Sequence, residues 1–179
     1  MITNLLEENF LKVKNNSKQI NIPSFIETNF IFSCVKSVKI RKVYIGLTDT
    51  NSKKIRYVNI KSTPHYKFAC DYLKNKYKIN ESRYVNYIKS NPKDFRSTEK
   101  FIKLIDSFNK SGYNYEEFPV LVFKTLKRPF PFGRFDVADG FHRLSILAAL
   151  GYENINVAVL KRKQSIFTRL KKKLNEIFE

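Results

Sequence analysis

One stretch of 26 residues, from Phe135 to Leu160, constrains the fold of this chain more than any other part of the sequence. It begins with a short apolar segment, continues through Asp139 and Gly140 into a run of small and apolar residues, and ends after Gly151 in a β-branched segment. This order is typical of a strand, a helix and a second strand packed around one core. We therefore predict an α/β (α+β) fold, with a small mixed sheet and flanking helices.

Local patterns predict the remaining elements. Residues 30–47 alternate between apolar and polar side chains, which predicts a strand, and Ile55–Ile60 predicts the returning strand of a hairpin. Further helices are predicted over Leu5–Val13, from Ser62-Thr63-Pro64, over Glu81–Ser90 and over Thr98–Lys110, and a further strand over Pro119–Leu126. The chain then divides into an N-terminal extension (1–30), one sheet-containing domain (31–160) and a basic C-terminal helix (161–179).

The charge of the chain is strongly unbalanced. Lys and Arg number 34 against 16 Asp and Glu, which gives a formal net charge of +18. Such an excess predicts an anionic partner: nucleic acid, a nucleotide, a sugar phosphate or an anionic membrane surface. Part of the excess lies between Val35 and Lys61, where there are eight basic residues and one acidic residue.

The last segment is also basic. Lys161–Lys173 carries seven basic residues and no acidic one, and Gln164–Phe178 has the apolar spacing of an amphipathic helix. Such a helix can pack on its own domain or on a partner, which is the commoner case, lie on an anionic membrane, or contact DNA. No run approaches the roughly 20 apolar residues that span a bilayer. We therefore expect a cytoplasmic protein, with peripheral membrane contact through this helix as an alternative.

The start of the helix that follows Asp139 has the features of an anion site. The first N–H groups of a helix have no intrahelical partners and carry the positive end of the helix dipole. His142 and Arg143 lie in this first turn, so together with Gly140 they are suited to a phosphate. The alternative, with equal weight, is a solvated helix start in which Arg143 pairs with a carboxylate, either Asp136 or Asp139.

The stretch contains, in order, the loop Asp139-Gly140-Phe141-His142-Arg143, a small-residue helix, Gly151-Tyr152 and the strand Ile155–Leu160. This order resembles the signature of the ParB/sulfiredoxin superfamily, whose members bind nucleotide phosphates. The resemblance is strong over these 26 residues and looser upstream to about residue 56.

The loop differs from those of two superfamily branches. Phe141 stands where sulfiredoxin has its catalytic cysteine, so phosphorylation of a cysteine sulfinate is not implied. Chromosome-partitioning ParB proteins carry a Gly-Glu-Arg-Arg-like box and a helix-turn-helix domain, and the 19 residues after Leu160 are too few for that domain. The loop is closer to the Asp-Gly-His-Thr-Arg loop of the free-serine kinases.

The resemblance implies a nucleotide-dependent phosphotransferase, a kinase that uses ATP or ADP with Mg²⁺ and acts on a small hydroxyl compound or a glycan-type acceptor. It implies phosphate binding by Gly140, Phe141, His142 and Arg143, catalysis by Asp139, His142 and His65, Mg²⁺ binding by Asp139, and acceptor binding by Ser62, His65 and Glu117. The alternative is a non-catalytic ParB-like module that binds a nucleotide or nucleic acid.

Three of these residues also have a purely structural interpretation. Ser62 is suited to be the N-cap of the helix that begins near Pro64. His65 would then be a half-exposed surface residue. Glu117 would be a solvated residue in the loop that precedes a strand.

Overall fold

A computed structural model of the chain describes residues 10–15, 18–23, 30–48, 55–75, 83–90, 97–124 and 133–162. The strands are β1 (Phe10–Asn15), β2 (Lys18–Pro23), β3 (Phe30–Lys39), β4 (Val43–Thr48), β5 (Ile55–Asn59), β6 (Val120–Lys124), β7 (Phe135–Asp139) and β8 (Asn154–Arg162). The helices are α1 (Pro64–Leu73), α2 (Arg83–Ser90), α3 (Thr98–Ser111) and α4 (Phe141–Ala149).

Six of these strands form one mixed sheet in the order β3-β8-β6-β7-β4-β5. Strands β8 and β6 run parallel, as do β7 and β4, while the β3–β8, β6–β7 and β4–β5 pairs are antiparallel. Strands β1 and β2 form a separate antiparallel pair. The prediction of an α+β fold with a small mixed sheet and flanking helices is confirmed.

The main core lies between one face of this sheet and the helices. Each described helix contributes side chains that are almost fully buried, because apolar residues recur at helical spacing on one face. Examples are Phe68 in α1, Tyr84 in α2, Phe101 in α3 and Leu144 in α4. This packing fixes the start of α4 against α1, α2 and α3, which positions the candidate site.

Two predicted elements are wrong. Residues 30–47 form two strands, because the chain turns through a short 3-10 helix at Ile40–Lys42 and β3 and β4 then pair with different neighbours. The Ile40 N–H donates to the Glu153 carbonyl (2.8 Å), which fixes this turn. The helix over Leu5–Val13 is contradicted where the chain is described, because Phe10 to Val13 lie in β1 and pair with β2.

The other predicted elements inside the described ranges agree with the structure. The β4–β5 hairpin forms, α3 begins after its N-cap Ser97 and ends before Gly112, and α4 lies between β7 and β8. The predicted basic C-terminal helix (161–179) is wrong at its start, because Lys161 and Arg162 are the last residues of β8. The amphipathic part predicted over Gln164–Phe178 lies outside the described residues. No helix in the described ranges is both long enough and apolar enough to cross a membrane.

Candidate functional site

The start of α4 depends on Gly140. This residue is the N-cap and has a φ of +86°, a left-handed conformation that side chains other than glycine adopt with strain. The guanidinium of Arg143 folds back over it, so closely that a Cβ on Gly140 would lie 2.8 Å from both Nε and Nη2. The glycine therefore permits both the turn and the position of the arginine.

Arg143 is paired with a carboxylate in this conformation. Its Nη2 lies 2.5 Å from Oδ2 of Asp139, and the two side chains are 16% and 35% exposed. Of the two carboxylates considered as partners of Arg143, Asp139 is the one with which it pairs. Asp136 pairs instead with Arg134, at 2.6 Å. The buried Nε of Arg143 has no hydrogen-bond partner in the described part of the chain.

A cavity of about 460 Å³ opens beside Arg143, and we call it the α4-start cavity. Its other walls are the end of α3 and the loop over residues 111–118. Its polar lining residues are Ser107, Ser111, Asn114, Glu117 and Arg143, and its rings come from Phe108, Tyr113 and Phe118. Arg143 and Glu117, both predicted from the sequence as site residues, line the same cavity.

Tyr113 forms part of the wall between this cavity and the sheet. Its hydroxyl accepts a hydrogen bond from the Val120 N–H (3.0 Å), at the first residue of β6. Burial raises the pKa of the Tyr113 hydroxyl to about 12, although the hydrogen bond from Val120 and the charge of Arg143 both oppose this shift. The tyrosine is therefore protonated at neutral pH.

His65 lies inside the core. It is 0% exposed, so the expectation of a half-exposed surface residue is wrong. Aromatic rings surround it at centroid distances of 4.5–6.1 Å, from Tyr84, Tyr87, Phe101, Phe141 and His142. Burial lowers the pKa of His65 to about 3, which keeps the imidazole neutral at pH 7. A ligand reaches this side chain only if the surrounding rings move.

His142 also points towards the core. Its side chain is 9% exposed, and its Nε2 lies 3.2 Å from the Tyr84 hydroxyl. The neighbouring Phe141 is partly buried and packs on His65. These contacts anchor the first turn of α4 to α1 and α2, so His142 holds the loop in position while Arg143 faces the cavity.

Ser62 is exposed and does not line the α4-start cavity. The N-cap of α1 is the next residue, Thr63, whose Oγ1 accepts a hydrogen bond from the Tyr66 N–H (3.2 Å). The interpretation of Ser62 as that N-cap is therefore wrong by one position. The structure does not bring Ser62 and His65 together with Arg143 in one open cleft.

The described residues contain no group of three or more Asp, Glu, His or Cys that could hold a metal ion. Mg²⁺ is usually bound by one or two carboxylates together with substrate phosphates, so a preformed protein cage is not required. Asp139 meets this requirement when a phosphate is present, provided that its carboxylate is released from Arg143. The donor set therefore fits a phosphate-bound Mg²⁺.

Sequence reasoning missed Tyr84 and Tyr113, which fix the site from α2 and from the loop after α3. Tyr113 follows Gly112, the residue that ends α3, and this position was the one available signal that it belongs to a loop near the site.

In comparisons with known proteins, no protein-family model, no curated protein and no solved structure matches this chain.

Proposed function

We propose that this chain is a nucleotide-dependent phosphotransferase of the ParB/sulfiredoxin type, which uses ATP or ADP with Mg²⁺ in the cytoplasm. Its acceptor is a small hydroxyl compound or a glycan-type acceptor. The observation that carries the proposal is the position of Arg143, which folds over Gly140 at a helix start and lines a cavity together with Glu117.

Phosphate binding follows from this position. A phosphate at the start of α4 meets the positive end of the helix dipole and the free N–H groups of the first turn. The Arg143 guanidinium is near enough to the Gly140 backbone to act on the same ligand. Arginine binds phosphate through two parallel hydrogen bonds, which gives both affinity and orientation.

The α4-start cavity suits a polyhydroxylated acceptor. Ser107, Ser111 and Asn114 can hydrogen-bond to hydroxyl groups, and Phe118, which is 41% exposed, offers an apolar surface to a ring. Glu117 supplies the carboxylate that orients or deprotonates an attacking hydroxyl in phosphoryl transfer. The cavity thus supports an acceptor beside the phosphate.

Asp139 has two roles that exclude each other. It pairs with Arg143 in the structure, and it is the predicted carboxylate for the phosphate-bound Mg²⁺. Nucleotide binding must therefore open this pair, because the phosphate replaces Asp139 on the guanidinium. The metal would neutralise charge on the phosphates when bound.

A second candidate is a non-catalytic nucleotide-binding module. It is favoured by one specific observation, the burial of His65 and His142 among aromatic rings, since neither side chain faces the α4-start cavity. In this candidate Glu117 is a solvated loop residue and Asp139 regulates access to Arg143. The two candidates share the phosphate site and differ in turnover.

Isothermal titration calorimetry with ATP and with ADP, each with Mg²⁺, tests the phosphate site. We expect Arg143→Ala to weaken nucleotide binding by about tenfold or more, because a hydrogen bond to a charged group contributes about 1.5–3 kcal/mol. The matched control is Arg83→Ala, which removes the same charge from an exposed position on α2 and should leave the affinity unchanged. Equal affinities for wild type and Arg143→Ala would contradict both candidates.

A labelled-phosphate transfer assay separates the two candidates. ATP carrying a labelled γ-phosphate, or ADP carrying a labelled β-phosphate, is incubated with the full chain, Mg²⁺ and a panel containing serine, glycerol and simple sugars. Transfer by the wild type that is lost in Glu117→Gln, with nucleotide affinity retained, supports the kinase. A wild type that binds nucleotide but transfers no phosphate to any acceptor or to water supports the binding module.

A further inference from the structure

A second cavity lined by cations lies at the other end of α4. It has a volume of about 400 Å³, and we call it the α4-end cavity. Its polar and aromatic lining residues are Lys39, Arg41, Lys61, Tyr152 and Glu153. Gly151, the second residue after α4, also lines it, and none of its lining residues lines the α4-start cavity. The α4-end cavity is therefore separate from the proposed phosphotransferase site.

The cations of this cavity are not neutralised by ion pairs with residues that the structure describes. Lys39, Arg41 and Lys61 are exposed, and none of them forms an ion pair within the ranges that the structure describes. Glu153 is the one carboxylate among the lining residues of this cavity, and it is not paired with any of the three. Three cations thus face one carboxylate, which leaves a local excess of positive charge.

Hydrogen bonds hold the segments that carry these cations together. The Asn59 side chain donates to the Arg41 carbonyl (3.1 Å), and its Oδ1 accepts from the Lys61 N–H (3.1 Å). The Ile40 N–H donates to the Glu153 carbonyl (2.8 Å), which ties the same turn to the loop before β8. Hydrogen bonds within the protein therefore fix the backbone around the cavity, which reduces the entropy lost on binding.

Stabilisation of α4 does not account for all of this charge. The end of a helix carries about half a negative charge, which one nearby cation is enough to offset. Three cations exceed that need, even with Glu153 included. An anionic ligand that enters the cavity would meet this remaining positive charge.

Tyr152 indicates which kind of anion fits. Its side chain is 43% exposed at the cavity, so its ring is free to stack on a planar group. An aromatic side chain beside cations is the arrangement by which proteins bind single-stranded nucleic acid, where bases stack and the backbone phosphates meet positive charge. A flat membrane surface would not enter a concave cavity in this way.

We propose that the α4-end cavity binds one nucleotide of a single-stranded nucleic acid, with the base on Tyr152 and a backbone phosphate near Arg41 and Lys61. Lys36 and Lys42, on β3 and in the adjoining turn, are also exposed, and neighbouring phosphates of the strand would meet them. This site is independent of the phosphotransferase proposal and uses none of its residues.

Fluorescence anisotropy with a labelled 12-nucleotide dT strand and the full chain tests this proposal. We expect the double variant Arg41→Ala/Lys61→Ala to weaken binding at least about tenfold at low salt. It should also reduce the slope of log K against log salt by about 0.7, the contribution of the one single-strand phosphate that the two side chains share. Tyr152→Ala should weaken binding by about five- to tenfold with the slope unchanged, because it removes stacking and no charge.

Two control variants show whether a loss of strand binding is specific to the α4-end cavity. Lys100→Ala/Lys103→Ala removes the same charge from the exposed surface of α3 and should leave binding within about twofold, apart from a small change in long-range attraction. Arg143→Ala should leave strand binding unchanged while it weakens nucleotide binding at the α4-start cavity by about tenfold or more. Thermal melting of each variant confirms that the fold is retained.

Four results would overturn the proposal. The first is no binding of the strand at 50 mM salt, and the second is an equal loss in the Arg41/Lys61 and Lys100/Lys103 double variants. The third is competition by AMP as strong as by the unlabelled strand, which would identify a mononucleotide site. The fourth is binding to phosphatidylserine vesicles, without strand binding, that is lost in Arg41→Ala/Lys61→Ala.

Discussion

The two ends of α4 are built alike and charged differently. Each has a glycine in the left-handed region, Gly140 at +86° and Gly151 at +88°, and each adjoins a cavity, lined by one cation at the start and by three at the end. At the start, Arg143 is held by Asp139. At the end, three exposed cations have no carboxylate partner among the described residues.

This difference predicts different binding behaviour. An arginine that already has a carboxylate partner loses that attraction when a ligand binds. It therefore selects ligands whose charge and geometry give a stronger interaction with the guanidinium than the carboxylate gives. Exposed, unpaired cations attract any polyanion, and salt screens that attraction. The start of α4 is therefore suited to a selective phosphate ligand, and the end to a salt-sensitive contact with a longer chain.

The largest expected effect is a loss of folding stability in acid that comes from His65, the α1 residue on which Phe141 and His142 of the α4 start pack. The pKa of His65 is about 3 in the folded protein and about 6.5 when unfolded, so the unfolded state binds the proton first as the pH falls. This group alone should lower the free energy of unfolding by about 3 kcal/mol between pH 7 and pH 4.

Urea unfolding at several pH values measures this effect. His65→Leu retains a side chain of similar size without the titrating group, so its stability should fall less steeply below pH 6.5 than that of the wild type. The difference between the two curves isolates His65 from the carboxylates that also titrate in this range. Parallel curves would show that His65 does not stay neutral in the fold.

The next effect concerns the wall of the α4-start cavity. Tyr113→Phe removes the acceptor of the Val120 N–H, and Val120 is 0% exposed, so its donor is left without a partner. Such a loss costs about 1–3 kcal/mol of folding stability. Chemical denaturation measures it, and Tyr152→Phe is the control at the α4-end cavity, where no change in stability is expected. Equal stability of Tyr113→Phe and the wild type would contradict the assigned hydrogen bond.

A matched pair of glycine substitutions compares the two ends directly. Gly140→Ala and Gly151→Ala should each cost roughly 1–2 kcal/mol, because both place a Cβ in the left-handed region. A Cβ at Gly140 also meets the Arg143 guanidinium at 2.8 Å, whereas nothing lies within 4 Å of one at Gly151. Calorimetry should therefore show weaker nucleotide binding in Gly140→Ala alone. Similar losses of nucleotide affinity in both variants would show that the position of Arg143 does not determine nucleotide binding.

The smallest effect is expected from Glu153. Glu153→Gln removes the one carboxylate that lines the α4-end cavity, so it should tighten binding of a single-stranded oligonucleotide by about two- to threefold, as expected for an exposed charge. Glu99→Gln, on the exposed surface of α3, is the control with the same change of charge. Weaker binding in Glu153→Gln would place the ligand elsewhere.

Local sequence signals were sufficient for the elements that position Arg143. Asp139-Gly140 marked the strand-to-helix junction, and Ser97 and Gly112 marked the ends of α3, because caps and glycine turns are fixed by neighbouring residues. The Arg143–Asp139 pair was one of two alternatives, since residues four apart on a helix or at its start lie close together. These features depend on contacts over a few residues.

Long-range contacts explain what the sequence could not predict. His65 was expected near the surface, but rings from α2, α3 and α4 enclose it, and no local pattern specifies that packing. The strand over residues 30–47 was divided because Ile40 bonds to Glu153, more than 100 residues later in the chain. In Phe10–Val13 an apolar spacing compatible with both a helix and a strand was decided by pairing with β2.

The central claim is that a phosphate at the start of α4 competes with Asp139 for Arg143. Calorimetric titration of ATP without Mg²⁺ into the wild type and into Asp139→Asn measures this competition directly. We predict that Asp139→Asn binds ATP about two- to fivefold more tightly, since a partly exposed ion pair contributes about 0.2–1 kcal/mol. Equal or weaker binding by Asp139→Asn, or no binding by either protein, would contradict the account.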